Sequence, residues 1–202
     1  MNVAERVAEL VQIPSVNPLQ AGPISGDDGE RSISSWLADR ADALGADVTV
    51  DEVIDGRCNV YARFEGKTDH AVTVDVHLDT VGVEHMQGDP FDGRIEDGRV
   101  YGRGSVDTKA TLAIVLFVME EILNEGGRPL PTVNLVGTVS EEMGGLIGAE
   151  RYRDWLIERG WLKKDARERD PDAWHDAKLF TARTLGFLTA DFKERMYQMA
   201  RI

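Results

Sequence analysis

Hydrophobic and polar positions alternate with two different periods along the chain, and together they predict helices interleaved with strands. Apolar residues recur at helical spacing over residues 3–11, and Pro14 ends this first helix. A second helix is predicted over residues 30–44, with Gly45 as its C-terminal stop. A third, over residues 108–124, is apolar nearly all round, so we expect it to be buried against a sheet.

Strands are predicted where apolar residues alternate with polar ones between turn signals. The third predicted strand carries Val72, Val74 and Val76 at every second position, so we expect a buried central strand there. Asp-Gly pairs in residues 89–102 predict a turn-rich excursion after it. This order of elements predicts a three-layer α/β domain with a mostly parallel central sheet and helices on both faces. The predicted strands cover residues 47–53, 59–64, 72–77 and 132–139.

Side chains with metal-binding chemistry follow two of these strands and precede the third helix. His77 and Asp79 end the third strand, where residues two apart share a face. Asp107 follows the glycines of GRGSVD, and Glu141 with Glu142 follows the fourth strand. Because ligands bind at the carboxyl ends of strands in open α/β sheets, these groups would form one pocket there. One imidazole and four carboxylates suit divalent metals, Zn²⁺ above all.

Each of these segments also has an ordinary structural explanation. A histidine and an aspartate at a strand end commonly form a turn, and paired glutamates at a strand end are commonly solvated. GRGSVD does not match a phosphate loop, because it lacks the Lys-Ser/Thr ending and the spacing of the dinucleotide fingerprint. The convergence of three segments at one edge of the sheet is what favours a metal site.

Composition narrows the class of protein without identifying a reaction. A chain of 202 residues with 42% hydrophobic content can bury one substantial core. The net charge of −13 disfavours nucleic acid as a partner, and indicates either a solvated acidic surface or an acidic cleft that holds cations. The single cysteine, Cys58, rules out a disulfide framework and a cysteine-based zinc site.

No membrane or export signal is evident in the sequence. The longest purely apolar run, residues 112–119, is too short to span a bilayer. The start, MNVAERVAEL, carries acidic residues and no apolar core, so it does not match a signal peptide. We therefore expect a cytoplasmic protein with no membrane partner.

Four strings of the sequence carry a resemblance to a known family. They are LVQIPSVNP, HLDTVG, DPFDGRIEDGRVYGRGSVDTK and GTVSEEMGG. In this order and spacing, residues 3–161 resemble the M20 family of metallopeptidases. That family includes acetylornithine deacetylase, succinyl-diaminopimelate desuccinylase, carboxypeptidase G2-type enzymes and aminoacylases. The resemblance implies a zinc-peptidase-like fold, present here only as the N-terminal part of the catalytic domain.

The resemblance also implies a role for each residue of the predicted pocket. His77 would bind one metal ion, Asp107 would bridge two, and Glu142 would bind the other. Asp79 would orient His77, and Glu141 would be the general base. A cis peptide bond that does not involve proline is implied directly after Asp107.

The activity implied is hydrolysis of an amide bond in an N-acyl amino acid or a small peptide. A water between two metal ions would attack the carbonyl, with Zn²⁺ as the expected metal and Co²⁺ or Mn²⁺ as alternatives. A second hypothesis stands beside it, in which the chain is a catalytically incomplete remnant that acts as a metal-binding or interaction protein.

The resemblance ends at about residue 161, so we expect residues 1–162 to form the catalytic part and residues 163–202 a divergent, helical tail. Two further metal ligands and the lid domain of the family are not found. His175, flanked by Asp172 and Asp176, could replace a ligand, although a histidine in so charged a segment is usually solvated. Without the lid, the apolar face against which it would pack is exposed, and such a face favours self-association.

Overall fold

Helices and strands alternate along residues 1–26 and 28–162, which are the residues that the computed structural model describes. The three helices and four strands predicted from periodicity are confirmed, with ends that agree within two residues. Two elements were not predicted: a fourth helix at Ile147–Glu158, and a short hairpin that lies within residues 89–102. The helices are α1 (Val3–Val11), α2 (Arg31–Ala43), α3 (Lys109–Asn124) and α4 (Ile147–Glu158), and the strands are β1 (Asp47–Ile54), β2 (Arg57–Phe64), β3 (Ala71–His77), β4 (Ile95–Glu96), β5 (Arg99–Val100) and β6 (Thr132–Thr138).

Local chemistry accounts for the ends of the first two helices. α1 begins with a capping box, in which the Asn2 side chain accepts the Glu5 N–H at 3.0 Å and the Glu5 carboxylate accepts the Asn2 N–H at 2.8 Å. α2 ends before Gly45, whose φ of 80° is the left-handed conformation that glycine adopts without a steric penalty.

The main sheet is mixed, with strand order β1-β2-β6-β3. β1 pairs with β2, and β2 with β6, in antiparallel fashion, whereas β3 and β6 are parallel. The prediction of a mostly parallel sheet is therefore wrong. One reason is the turn between β1 and β2, where Asp55 (φ 48°) and Gly56 (φ 74°) form a tight hairpin that reverses the chain.

β3 was predicted to be the central strand, but it lies at the edge of this sheet. β6 takes the central position between β2 and β3, and it is the only strand paired with β3 among the described residues. The exposure of Val72, at 46%, reflects this edge position. Along β3 only Val76 is fully buried, while Val74 and His77 are partly buried.

Helices cover both faces of the sheet, so the three-layer arrangement of the α/β fold is confirmed. On one face α1, α2 and α3 pack in a single core around Leu37, Leu116 and Leu135. Tyr61 alternates with the core residues of β2 and contacts Tyr152 of α4 with ring centroids 4.9 Å apart, which places the start of α4 on the opposite face. α3 is buried on one side in this core, as expected, whereas its other side leaves Val118 47% exposed.

The chain divides into one compact unit, Met1–Tyr152, and a second that begins at Arg153. The predicted tail, residues 163–202, lies outside the described residues, so a helical conformation there and a boundary at residue 162 stay predictions. Among the residues described, no helix is both long and apolar enough to pass through a membrane.

Candidate metal centre

The five residues predicted to form a pocket meet at one edge of the main sheet. β3 and β6 are parallel, with His77 opposite Thr138, so the segments that follow both strands emerge side by side. The start of α3 joins them, since the Thr108 hydroxyl donates a hydrogen bond to the His77 carbonyl at 2.8 Å. The peptide bond between Asp107 and Thr108 is cis, as the sequence resemblance implied.

His77 is surrounded by carboxylates. Its Nε2 lies 3.0 Å from Oδ1 of Asp107 and 3.9 Å from Oε2 of Glu141, while Nδ1 donates to the Asp79 carbonyl at 3.0 Å. Burial lowers the pKa of His77, but the hydrogen bonds to Asp79 and Asp107 outweigh it and raise the pKa to about 9. Without a cation the ring therefore carries a proton on Nε2, and a metal ion bound at this nitrogen would replace that proton.

Asp79 is fully buried and saturated with hydrogen bonds. It accepts from Nδ2 of Asn17 at 2.7 Å and from the backbone N–H groups of Glu141 and Glu142, both at 3.0 Å. Burial favours the neutral acid, but the donors from His77, Asn17 and the two backbone groups outweigh it and lower the pKa of Asp79. The carboxylate is thus a buried anion in contact with both His77 and the segment that carries the glutamate pair.

His77, Glu141 and Glu142 each present one ligand atom, and these atoms lie within 4.8 Å of one another. Asp107, with its side chain 70% exposed, adjoins the group through His77. Burial, with the nearby carboxylates of Asp107, Glu141 and Asp79, raises the pKa of Glu142 against the opposing effect of His77. One imidazole among so many carboxylates fits a divalent cation of the Zn²⁺, Co²⁺ or Mn²⁺ type.

Two depressions open beside this cluster. One is bounded by residues 102–107, Val81 and Glu142, and the other by Asp75, His77 and Glu141 with the start of α4. Gly104 lines the first depression and has a φ of 78°. A Cβ atom at this residue would stand 2.8 Å from Cγ2 of Thr80, so a larger side chain does not fit there without a shift. The acidic groups are therefore reached from two depressions.

Two polar residues that support the cluster were not singled out from the sequence. Asn17 is fully buried and donates to the Met143 carbonyl at 2.9 Å as well as to Asp79. Lys109 is buried at the start of α3, where Nζ donates to the Ile13 carbonyl at 2.6 Å and burial lowers its pKa to about 7. Asn17 lies in the string LVQIPSVNP and Lys109 in GSVDTK. Their presence in these family-like strings was the signal that could have identified them.

The remaining histidines do not join the cluster within the described residues. His70 and His85 lie outside it, as the sequence suggested. The segment outside the described residues contains His175, Asp172 and Asp176. That one of them replaces a missing metal ligand stays a prediction.

Comparison with known proteins places this geometry in a family. The profile of the peptidase family M20/M25/M40 matches residues 73–185. Succinyl-diaminopimelate desuccinylase of Rhodospirillum centenum is 31% identical over 161 residues, which cover 75% of this chain and 38% of that protein. The same enzyme of Methylocella silvestris is 30% identical over 159 residues, 77% of this chain and 39% of that protein. The chain therefore spans less than half the length of these relatives.

The fold agrees with that of a solved relative. The M20 family metallo-carboxypeptidase Sso-CP2 from Sulfolobus solfataricus superposes with a TM-score of 0.66 and 22% sequence identity. The match covers 79% of this chain and 35% of that one, so it concerns part of a larger fold. Together with the family profile, which matches more than half of the chain, these similarities show that the protein belongs to peptidase family M20/M25/M40.

Proposed function

We propose that this chain provides metal ligands and the general base of a hydrolase that cleaves an amide bond in an N-acyl amino acid or a small peptide. The observation that carries the proposal is the convergence of His77, Glu141 and Glu142 within 4.8 Å, with Asp107 3.0 Å from His77. His77, Asp107 and Glu142 are the proposed ligands. By resemblance they would hold part of a site for two Zn²⁺ ions, for which Co²⁺ or Mn²⁺ could substitute.

A bound divalent cation would supply Lewis-acid polarisation of the amide carbonyl and a lowered pKa for the attacking water. Glu141 is suited to the base role because its side chain is 48% exposed and receives no hydrogen bond from the described residues. It would take one proton from the water as the new carbon–oxygen bond forms. The same proton would then pass to the amine nitrogen as the carbon–nitrogen bond breaks.

Asp79 is proposed as a positioning residue and not as a base. Three N–H donors besides His77 already occupy its buried carboxylate. Such a group orients the imidazole and sets which ring nitrogen is available to a metal ion. Nδ1 of His77 is held by the Asp79 carbonyl, which leaves Nε2 facing Asp107 and Glu141.

The names of the relatives support the substrate class. The two curated relatives are desuccinylases and the solved neighbour is a metallo-carboxypeptidase, so an amide next to a carboxylate is the bond to test first. The acyl group and the amino acid would be identified by screening N-succinyl and N-acetyl amino acids together with dipeptides.

The test combines metal analysis with hydrolysis. Protein equilibrated with Zn²⁺ should contain bound metal by elemental analysis, and less of it after Glu142→Ala. Glu141→Gln should abolish hydrolysis and spare metal binding, while Glu121→Gln, on an exposed position of α3, should change neither. Full activity in Glu141→Gln would remove Glu141 from the base role. A folded protein that binds no Zn²⁺ would favour the non-enzymatic remnant.

A further inference from the structure

The carboxylate of Glu30 lies against the backbone that carries the glutamate pair, although 110 residues separate it from Ser140. Glu30 occupies the N-cap position of α2, yet its side chain makes no capping hydrogen bond there. It is fully buried. Capping of its own helix, the usual role of a polar side chain at this position, therefore does not explain the buried charge.

Arg57 balances that charge with a two-pronged contact. Its Nε donates to Oε2 of Glu30 at 2.7 Å, and its Nη2 donates to Oε1 at 2.5 Å. The guanidinium leaves one acceptor position of Oε1 available, and the backbone N–H of Ser140 donates to it at 3.1 Å. The pair is thus electrically neutral and still holds a backbone group of another segment.

Three consecutive backbone N–H groups after β6 donate to buried carboxylates. Ser140 donates to Glu30, while Glu141 and Glu142 donate to the two oxygens of Asp79. Ser140 is buried and has a φ of 67°, a left-handed conformation that residues with a side chain adopt rarely. Because the chain turns at Ser140, the hydrogen bond that the Ser140 N–H donates to Glu30 acts at the residue that sets the direction of Glu141 and Glu142.

We propose that Glu30, with Arg57 as its counter-ion, is a positioning residue that orients the Glu141–Glu142 pair for cation binding. Asp79 holds the segment at residues 141 and 142, and Glu30 holds it one residue earlier. The inference rests on the proposed function for its chemical meaning, since the cation is what the oriented carboxylates would bind. Loss of an outer partner of a metal ligand typically weakens metal affinity about 10- to 100-fold.

The test uses two matched double variants. Glu30→Leu with Arg57→Met removes the acceptor for Ser140 without leaving a buried charge unpaired. The control, Glu120→Leu with Arg6→Met, removes another buried pair, in which Arg6 donates to both oxygens of Glu120 at 2.8 and 2.9 Å. Glu120 also pairs with Arg40, whose side chain is 37% exposed, so water can solvate that guanidinium in the control. That pair joins α1 to α3 and makes no hydrogen bond to residues 139–145.

Co²⁺ titration, followed by the visible absorption that reports ligand geometry, is the first readout. We expect Co²⁺ affinity at least tenfold lower, or an altered spectrum, only in the Glu30 double variant. Glu30→Gln should recover part of the affinity, because its amide oxygen can still accept the Ser140 N–H. If the Glu30 double variant does not fold, the Co²⁺ affinity of Glu30→Gln is compared with that of Glu120→Gln. A lower affinity is then expected only in Glu30→Gln. Wild-type affinity and spectrum in the Glu30 variants would overturn the proposal.

Amide hydrogen exchange of the metal-free protein separates this inference from the proposed function. Protection of the Ser140, Glu141 and Glu142 amides should fall in the Glu30 double variant and stay at the wild-type level in the control. If wild-type protein binds no Co²⁺, the proposed function fails, and the exchange comparison alone decides the role of Glu30. Equal protection in both double variants would refute it.

Discussion

Replacing Asn17 with alanine tests how strongly the loop after α1 supports the cluster. The Asn17 side chain is fully buried and makes three hydrogen bonds: it donates to Asp79 at 2.7 Å and to the Met143 carbonyl at 2.9 Å, and it accepts the Leu19 N–H at 3.0 Å. Alanine removes all three and leaves the Asp79 carboxylate with one donor fewer.

The expected loss of stability follows from the kind of bond removed. A hydrogen bond to a buried charged group contributes about 1.5–3 kcal/mol, and a neutral one about 1 kcal/mol. The bond to Asp79 is the charged one, and water can partly satisfy the Leu19 N–H and the Met143 carbonyl in the variant. We therefore expect Asn17→Ala to lower the free energy of unfolding by about 3 kcal/mol.

Urea unfolding at pH 7, followed by circular dichroism with EDTA present, measures this loss. Ser35→Ala on the exposed side of α2 is a suitable control, with an expected change within about 0.5 kcal/mol. Asn17→Asp should be more damaging than Asn17→Ala, because a second buried carboxylate would then face Asp79. A loss below about 1 kcal/mol in Asn17→Ala would show that the contact with Asp79 does not stabilise the fold as reasoned.

Three further predictions concern pH, packing and metal binding. Burial lowers the pKa of Lys109 to about 7, so between pH 7 and about 10 the unfolded chain binds more protons than the folded one. The free energy of unfolding should therefore rise with pH more steeply in wild-type protein than in Lys109→Met. Parallel profiles of urea unfolding against pH would contradict this. In Gly137→Ala the new Cβ would stand 2.7 Å from Cδ2 of Leu37, so denaturant unfolding should show a loss of about 1–3 kcal/mol, and an unchanged midpoint would mean that the core adapts. Zn²⁺ at 100 times its dissociation constant should stabilise the protein by about 2.7 kcal/mol, seen as a higher melting temperature. An equal rise in Glu142→Ala would exclude Glu142 as a ligand.

Much of the candidate site could be predicted because its residues stand next to strong local signals. His77 follows an alternating strand, Asp107 precedes an apolar helix, and Glu141 with Glu142 follows another strand. The α/β class and the family could be predicted in the same way, the family from four separate strings. The support of the site could not, because Asn17 and Glu30 act on residues more than 60 positions away. No periodicity or local spacing records such a pairing.

Local sequence determined the elements of this protein, and tertiary structure decided how they are arranged. α1 begins, and α2 ends, within one residue of the prediction, because the Asn2–Glu5 capping box and the stop at Gly45 depend only on neighbouring residues. Strand order has no such local basis, so the insertion of β6 beside β3 and the mixed sheet were not predicted. Burial likewise depends on what covers each face, which is why β3 is an edge strand and α3 exposes one side despite their apolar sequences.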